Sequence, residues 1–286
     1  MLRLRDRLFA PGEHAVMAIV NRTPDSFYDG GANVDFGDAL SAVARAVDAG
    51  ADLVDIGGVR AGYGPEVDAA EEMHRVLPLV EAVRAQFPEL PISVDTWRAE
   101  VAREVVAAGA DLINDTWAGA DPGLVDVAAA TGAAVVCSHT GGLGPRTDPH
   151  RVAYDDVLAD VLRTVTQGAE RAVSAGVRRD GVLIDPTHDF GKNTRHSLEL
   201  TRRLDELVAT GWPVLVALSR KDFIGETLDL PASERLEGTL AATAVSAWHG
   251  ARVFRTHDVL ATRRVLDMVA SIRGDRQPKV GRRGLA

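Results

Sequence analysis

The sequence predicts an α/β protein folded as a single-domain (β/α)8 TIM barrel. Three observations support this: a length of 286 residues, eight short apolar runs alternating with Ala-rich helical stretches, and a glycine that recurs between helix and strand. A barrel of this type takes about 250 residues as one domain. A chain of this length buries a large core without disulfides or metals. We assign residues 1–273 to the barrel and residues 274–286, rich in Arg and Gly, to a flexible basic tail.

The candidate strands are short, carry Val and Ile, and are apolar on both faces, as strands of a buried parallel sheet are. They comprise residues 15–20, 53–56, 92–94, 112–113, 134–137, 182–184, 214–217 and 252–254. Helical periodicity follows most of these strands. It predicts helices over residues 39–49, 69–86, 99–108, 155–175, 196–208, 234–249 and 261–272.

Four joints between a helix and the next strand carry a glycine, at Gly50, Gly109, Gly132 and Gly250. Glycine is favoured just past a helix because it adopts the left-handed conformation without a Cβ clash. The repeat describes successive βα units, and eight such units favour a closed barrel. An open doubly wound sheet is the alternative, and it is disfavoured because no Gly-x-Gly-x-x-Gly follows the first strand.

The composition bounds the partners and the compartment. Lys and Arg number 32 and Asp and Glu number 41, so the formal net charge is −9, which repels a nucleic acid at long range. Cys137 is the single cysteine of the sequence, so no intrachain disulfide forms, in agreement with a reducing compartment. No apolar run reaches the roughly 18 residues of a membrane span, and no secretory h-region follows the first residues. We therefore expect a cytoplasmic protein without a membrane partner.

Polar or ionisable side chains follow every candidate strand, at the end where TIM barrels place their active sites. An Asp or Asn in such a position often only caps the next helix. Lys221 and Arg255 have no acceptor atom, so capping does not explain them. The mixture suits a polar ring hydrogen-bonded by carboxylates and amides, beside an anion held by cations. The rim positions are Asn21, Asp55, Asp95, Asn114, His139, Asp185, Lys221, Arg255 and His257.

Two histidines, His139 and His188, raise the question of a metal site. Their spacing is irregular and no His pair is separated by one helical turn, which disfavours a tight zinc site. A loosely held Mg²⁺ fits better because it needs only one or two protein oxygens when phosphate oxygens complete its shell.

An ordered set of motifs resembles those of dihydropteroate synthases. The first and longest spans residues 21–31, Asn-x-Thr-Pro-Asp-Ser-Phe-x-Asp-Gly-Gly. The resemblance covers residues 15–272. The further matches are Asp55-Ile56-Gly57-Gly58, Ser93-Val94-Asp95-Thr96, Asn114-Asp115, Asp185-Pro186, Phe190-Gly191-Lys192, Ser219-Arg220-Lys221, Ile224-Gly225, Gly238-Thr239 and Arg255-x-His257-Asp258.

The resemblance implies a homodimeric (β/α)8 barrel that joins p-aminobenzoate to 6-hydroxymethyl-7,8-dihydropterin pyrophosphate in folate biosynthesis, with release of pyrophosphate. It implies that Phe190 packs on the pterin ring and that Asn21 lies next to Mg²⁺ and pyrophosphate. It also implies that Arg255 and His257 anchor the pyrophosphate. The groups implied to hydrogen-bond the ring are Asp95, Asn114, Asp185 and Lys221, of which Asp95, Asp185 and Lys221 are the candidate catalytic residues.

The departures from the family pattern are concentrated in two loops. Residues 59–64 read Val-Arg-Ala-Gly-Tyr-Gly where the family reads Glu-Ser-Thr-Arg-Pro-Gly in the loop that closes over p-aminobenzoate. Thr187-His188-Asp189 replaces Gly-Ile-Gly, which adds bulk and charge near the pterin pocket. Arg22 replaces a usual Val. The pterin and pyrophosphate half is therefore retained in pattern, and the half for the second substrate is remodelled.

Three functions remain open at this point, together with a non-enzymatic scaffold role. The first is a working synthase with an unusual loop. The second is a diverged paralogue that keeps the pterin and pyrophosphate pocket, with weak, lost or different activity because residues 59–63 depart from the pattern. The third, a methyltransferase domain acting on methyltetrahydrofolate, is disfavoured because it has no use for an anion-binding set. A scaffold role leaves the charged rim unexplained, since buried charges cost stability unless paired or functional.

The expected site is a local cationic cup in an acidic protein. Lys221, Arg255 and His257 are predicted to converge at one rim, with Arg60 and Arg220 nearby. Such a cup admits a pyrophosphate and a small amine while the net charge of −9 excludes nucleic acid.

Overall fold

The computed structural model describes residues 1–22, 36–62, 64–147 and 153–284. In chain order its strands are β1 (Leu2–Leu4), β2 (Arg7–Phe9), β3 (Ala15–Asn21), β4 (Leu53–Gly57), β5 (Ile92–Asp95), β6 (Leu112–Asp115), β7 (Ala134–Cys137), β8 (Val182–Ile184), β9 (Leu215–Ala217) and β10 (Val253–Thr256). Its α-helices are α1 (Phe36–Asp48), α2 (Ala69–Gln86), α3 (Ala99–Ala107), α4 (Leu124–Thr131), α5 (Val157–Ala175), α6 (Thr194–Arg202), α7 (Leu204–Val208), α8 (Asp222–Leu228), α9 (Leu236–His249) and α10 (Val259–Arg273).

Eight of the described strands form one parallel sheet in the order β8-β7-β6-β5-β4-β3-β10-β9. The two edges of this sheet meet. Ile184 of β8 forms a parallel bridge with Val214, and its N–H donates to the Pro213 carbonyl at 3.0 Å. Because the edges are joined, the sheet is a barrel, and the predicted TIM-barrel fold is confirmed over the open doubly wound alternative.

The first two strands form an antiparallel hairpin that the sequence analysis missed. Its Leu2, Leu4 and Phe9 are buried and pack against inward-facing residues at the amino-terminal end of the barrel. The hairpin therefore closes the floor of the barrel, and the open end lies at the carboxyl ends of the strands. The barrel residues packed against the hairpin are Ala15, Met17, Leu53, Leu112, Ala134, Val136, Leu183, Leu215 and Val253.

The helical layer differs from the predictions in three places. The helix predicted over residues 196–208 is two helices, since the chain leaves helical geometry at Arg203, whose guanidinium binds Glu199 and Glu206. Neither α4 nor α8 was predicted from periodicity, because seven or eight residues span too few turns, and only Gly132 indicated the end of α4. None of the described helices is long and apolar enough to cross a membrane.

The first part of the predicted tail lies beside the last helix. Arg276 and Lys279 both pair with Asp267 of α10, with 3.4 Å between Lys279 Nζ and the carboxylate. The flexibility assigned to residues 274–286 stays a prediction.

The glycines predicted to end helices adopt the left-handed conformation, with φ of +94° at Gly50, +116° at Gly109, +75° at Gly132 and +104° at Gly250. The same conformation ends α8, but there the residue is an exposed Asp229 with φ +54°. A side chain in this conformation costs free energy, and a carboxylate also opposes the negative end of the helix dipole.

We expect Asp229→Gly to raise the free energy of unfolding by up to about 1 kcal/mol, because the left-handed strain is relieved. In a chain of this size that corresponds to roughly 2–4 °C in Tm. Thermal unfolding measures it, with Gly132→Ala as the converse control, since no atom lies within 4 Å of the added Cβ and only the φ is strained. An unchanged or lowered Tm for Asp229→Gly would contradict this explanation.

Candidate active site

A cavity of about 340 Å³ opens at the carboxyl ends of the barrel strands. All eight side chains predicted from the sequence to form the site line this cavity. They come from β3, β5, β6 and β10 and from the loops after β8, β9 and β10. The predicted residues in the lining are Asn21, Asp95, Asn114, Asp185, Phe190, Lys221, Arg255 and His257.

An ion-pair network centred on Arg255 lies at the base of the cavity. Arg255 donates from Nε to Asp55 at 2.6 Å and from Nη2 to Asp95 at 3.1 Å. Asp55 has no exposed surface and also accepts from Ser93 Oγ at 2.6 Å and Asn114 Nδ2 at 3.2 Å. Asp55 therefore orients three neighbours that belong to the rim.

The sequence analysis placed Asp55 at the rim but did not count it among the site residues. The signal was present, because Asp55 interrupts a strand that is otherwise apolar and fully buried. A carboxylate in such a place requires a cationic partner.

Two carboxylates at the cavity, Asp95 and Asp185, have raised pKa values. Burial raises the pKa of Asp95 to about 7, and the neighbouring Asp55 charge adds to this, while Arg255 and the Thr116 hydroxyl oppose it. Thr116 Oγ1 donates to Asp95 at 2.9 Å. Burial also raises the pKa of Asp185, with Lys221 opposing. Asp95 is therefore a carboxylate that exchanges a proton more readily near neutral pH than an ordinary one.

Lys221 and Phe190 form one wall of the cavity. Lys221 donates from Nζ to the His188 carbonyl and lies over the Phe190 ring, with 4.7 Å between Nζ and the ring centroid. The edge of the same ring meets Trp117 at a centroid distance of 5.2 Å. Phe190 is thus fixed between a cation and an indole and presents an aromatic surface to a ligand.

The loop after β8 contains the strongest backbone strain near the site. Thr187 has φ +53° and Asp189 has φ +72°, at the two positions where the family pattern has glycine. Each such residue costs of order 1–3 kcal/mol and persists only when its surroundings hold it. Thr187 is held by three hydrogen bonds: to the Asp185 carboxylate and carbonyl at 2.7 and 3.0 Å, and from the His139 N–H at 3.2 Å. Thr187 and Asp189 line the cavity, so the bulk and charge that the sequence predicts lie at the candidate site.

The two histidines considered as metal ligands point to separate places. His139 Nε2 lies 2.8 Å from Asp160, whereas the buried His188 contacts Thr201 at 3.1 Å and stacks on Phe223. Burial lowers the pKa of both, to about 4 for His139. In the part of the chain that the structure describes, no three His, Cys, Asp or Glu side chains are grouped so that they could hold a metal ion.

Arg60 and Arg220 lie near the other cations, as predicted, and both line the cavity. The Arg220 guanidinium forms a bidentate pair with Asp258 at 3.0 Å and also binds the Ala232 and Ser233 carbonyls. These partners occupy guanidinium donors that would otherwise be open to an anion. Arg60 lies exposed at the mouth.

His257 is fixed by the strand end beside it. Its N–H donates to Ser219 Oγ at 3.2 Å, and the same hydroxyl lies 3.0 Å from His257 Nδ1. The Ser219 hydroxyl can donate to Nδ1 or accept from it, because it has one proton and two lone pairs. These two contacts hold the imidazole at the cavity, which it lines.

Asn21 ends β3 opposite Gly57 of β4. The close approach requires glycine there, because a Cβ on Gly57 would lie 3.0 Å from Asn21 Oδ1, and one on Gly58 would lie 2.7 Å from Val76 Cγ1. The rest of the first motif, residues 23–31, lies outside the described residues, as does Tyr63.

The loop after β4 reaches the cavity through residues 59–62. It is tied to the loop after β7, because Arg146 donates to the Gly62 carbonyl at 3.2 Å and to the Pro65 carbonyl at 2.8 Å. The altered loop thus has a defined anchor of its own.

The fold and this site together define a class: (β/α)8-barrel proteins that bind a polar ring and an anion at the carboxyl rim. The pterin binding enzyme family matches the chain over residues 17–257. The chain is 60% identical over 284 residues to the protein named inactive dihydropteroate synthase 2 of Mycobacterium leprae (strain TN), with 98% of both chains covered. It is 41% identical over 263 residues to dihydropteroate synthase of Escherichia coli (strain K12), with 90% of this chain and 93% of that one covered.

Solved structures agree with these relatives. A Yersinia pestis dihydropteroate synthase in a sulfonamide drug complex superposes with a TM-score of 0.90 at 38% identity, covering 96% of this chain and 99% of that one. A Xanthomonas albilineans dihydropteroate synthase in complex with 7,8-dihydropteroate has a TM-score of 0.80 at 40% identity, covering 91% and 94%. The chain belongs to the dihydropteroate synthase family of pterin-binding enzymes, as a diverged member, and the resemblance given by the motifs is confirmed.

Proposed function

We propose that the protein binds 6-hydroxymethyl-7,8-dihydropterin pyrophosphate and is a dihydropteroate synthase-type transferase whose transfer to p-aminobenzoate is weak. The observation that carries the proposal is the convergence of all eight predicted side chains on one cavity. The volume of about 340 Å³ suits a small bicyclic ligand.

The inner half of the cavity supplies the groups that a pterin ring requires. Asp95, Asn114 and Asp185 offer acceptors and an amide, and Phe190 offers an aromatic face. In the proposal Asp95 and Asp185 hold the ring and favour the positive charge that develops on the pterin methylene as pyrophosphate departs. Lys221, fixed against the His188 carbonyl, donates to the ring from the wall that it shares with Phe190.

The leaving group is proposed to lie toward Arg255, His257 and Asn21. Arg255 and His257 stabilise the departing anion electrostatically, so no protein nucleophile is needed. Asn21 is the proposed protein ligand of a Mg²⁺, with substrate phosphate oxygens completing the shell, and one amide oxygen suffices for a metal held in that way. When bound, the ion neutralises charge on the leaving pyrophosphate.

The outer half of the cavity supports weak transfer to p-aminobenzoate. Residues 59–62 line it without the Thr, Arg and Pro of the family pattern. Relatives of Mycobacterium leprae and Mycobacterium bovis at 60% identity are named inactive dihydropteroate synthase 2. Efficient synthase activity is the second candidate, and the 41% identity to the Escherichia coli enzyme favours it.

A pyrophosphate-release assay separates the two. The substrate pterin pyrophosphate is incubated with protein and Mg²⁺, with and without p-aminobenzoate, and both pyrophosphate and dihydropteroate are measured. Slow release that p-aminobenzoate hardly accelerates supports the proposal. Release that depends fully on p-aminobenzoate and equals dihydropteroate formation supports the efficient synthase. A protein that neither binds the pterin pyrophosphate nor releases pyrophosphate from it rejects both candidates.

A homodimer through α9 and α10 is part of the proposal. These two helices pack against each other and expose large apolar side chains, with Trp248 56% and Met268 61% accessible. Val245, Leu260 and Ile272 are further exposed apolar side chains on the same two helices. Exposed apolar side chains concentrated on two packed helices suit an interaction surface, and a two-fold axis lets that surface cover its copy.

We expect Trp248→Glu to convert a dimer into a monomer, because a carboxylate would be buried in an apolar interface. Light scattering after size-exclusion chromatography measures the mass. Leu8→Glu is the matched control, since Leu8 is 45% exposed on the hairpin at the barrel floor. A monomeric wild type, or a dimeric Trp248→Glu variant, would refute this surface.

We also propose a cytoplasmic location. The supporting feature is the buried Cys137, which needs no oxidising compartment. Fractionation of cells expressing the native protein tests the location.

A further inference from the structure

Asp189 is a carboxylate in the cavity wall that the ring and pyrophosphate contacts above do not use. It lies on the strained loop after β8, three residues before Lys192 and beside Phe190. Backbone strain that persists at a cavity points to a function for the residue that carries it. Asp189 is thus a second carboxylate beside Lys221, in addition to Asp185.

The surroundings of Asp189 describe an ionised carboxylate. Oδ1 accepts from Ser197 Oγ at 3.1 Å, and Oδ2 accepts from the N–H groups of Asp222 and Phe223 at 2.7 and 3.3 Å. Burial raises the pKa of Asp189, and Lys221 is the neighbour that most opposes this rise. These contacts all come from donors, which bind the ionised form. The N–H groups of Asp222 and Phe223 therefore already donate to Asp189.

Three carboxylates line the cavity around Lys221, from Asp185, Asp189 and Asp222. Lys221 is flanked by Asp185 and Asp189, whose charges both act on it. Asp222 lies at the same wall and pairs with Arg235 at 2.8 Å. The Arg220 guanidinium next in the chain is directed to Asp258 instead. A ligand carboxylate near this wall would meet negative charge in a partly desolvated space, where repulsion is strong.

We propose that Asp189 is a specificity-determining residue that excludes carboxylate-bearing amines from the part of this cavity beside Lys221 and admits neutral arylamines. The inference rests on the proposed function, because it names the class of second substrate for the same site. The added charge at residue 189, together with the altered loop over residues 59–62, explains why p-aminobenzoate is a poor partner.

A purely structural role for Asp189 makes a different prediction. If the carboxylate only tied the loop to the start of α8, replacing it would change stability and leave ligand selectivity alone. Asp189→Asn keeps the size, one acceptor oxygen and a residue that tolerates positive φ, and removes only the charge. Ligand selectivity in this variant therefore separates the two roles.

The test compares p-aminobenzoate with p-aminobenzamide, which has nearly the same shape and no charge. Titration calorimetry measures both on wild type, Asp189→Asn and Asp229→Asn, with and without saturating pterin pyrophosphate and Mg²⁺. Asp229 is the matched control, an exposed Asp with positive φ at the other end of the same helix. We expect wild type and the control to prefer the amide at least tenfold, and Asp189→Asn to reduce the preference below about threefold by binding the benzoate more tightly.

Two results would overturn the inference. One is a wild type that binds p-aminobenzoate as tightly as the amide or binds neither amine, and the other is an Asp189→Asn variant that keeps the full preference. The titration of pterin pyrophosphate alone tests the proposed function separately. If that titration fails while the amide preference responds to Asp189, the charge selectivity stands and the pterin assignment falls.

Discussion

Arg255→Ala should destabilise the protein by about 3–5 kcal/mol, the cost of leaving a buried ion pair without one partner. Arg255 is the cation bonded to both Asp55 and Asp95, at 2.6 and 3.1 Å, and Asp55 is fully buried. Removing the guanidinium leaves two carboxylates repelling each other in the barrel. Urea unfolding monitored by circular dichroism measures the loss, and calorimetry on the folded fraction should show at least a tenfold weaker binding of pterin pyrophosphate.

The pH dependence of this variant has a definite sign. Burial already raises the pKa of Asp95 to about 7, and without Arg255 the folded state holds that proton still more tightly. An acid with a raised folded pKa binds more protons in the folded than in the unfolded state above its unfolded pKa near 4. The stability of Arg255→Ala should therefore fall as pH rises from about 4 to 8.

The matched control is Arg252→Ala. Arg252 directly precedes β10, at the barrel floor, whereas Arg255 lies near the carboxyl end of the same strand. Arg252 donates to backbone carbonyls of Phe9, Ala10 and Glu13 at the barrel floor. Its loss should cost about 1–2 kcal/mol and leave ligand affinity intact. Equal destabilisation by the two substitutions, or unchanged affinity in Arg255→Ala, would remove Arg255 from the centre of the site.

The second large effect concerns turnover. We expect kcat/KM for p-aminobenzoate below about 10⁴ M⁻¹s⁻¹, the lower end of ordinary enzymes, because misplacing one substrate costs orders of magnitude in rate. The altered residues 59–62 and Asp189 both line the cavity in which this substrate would have to be placed. A steady-state assay of dihydropteroate formation gives the value, with the Escherichia coli relative assayed in parallel as the reference. A kcat/KM at or above that limit would make the efficient synthase the better account.

The barrel and its rim were predictable because two periodic signals coincide. Buried parallel strands are apolar on both faces, and the polar residue that ends each strand necessarily falls at one rim. That logic placed Asn21, Asp95, Asn114 and Arg255 in one cavity across 234 residues of chain. The glycines at helix ends were predictable for a similar reason, since the left-handed conformation selects them.

Pairings between distant residues were not predictable in the same way. Nothing local in the sequence distinguishes Arg255, which lies in the cavity wall with Asp55 and Asp95, from Arg220, which pairs outward with Asp258. The floor hairpin was missed because its strands, Leu-Arg-Leu and Arg-Leu-Phe, include charged residues and do not form apolar runs. The strain at Asp189 is a property of φ, which only the structure gives.

The most direct test of the central claim is a calorimetric titration of the protein with 6-hydroxymethyl-7,8-dihydropterin pyrophosphate in the presence of Mg²⁺ and in the absence of p-aminobenzoate. The retained half of the site predicts saturable one-to-one binding, at least tenfold weaker in Lys221→Ala and unchanged in Arg252→Ala. No saturable binding by the folded wild type, or equal binding by Lys221→Ala, would contradict the claim that this cavity is a pterin pyrophosphate site.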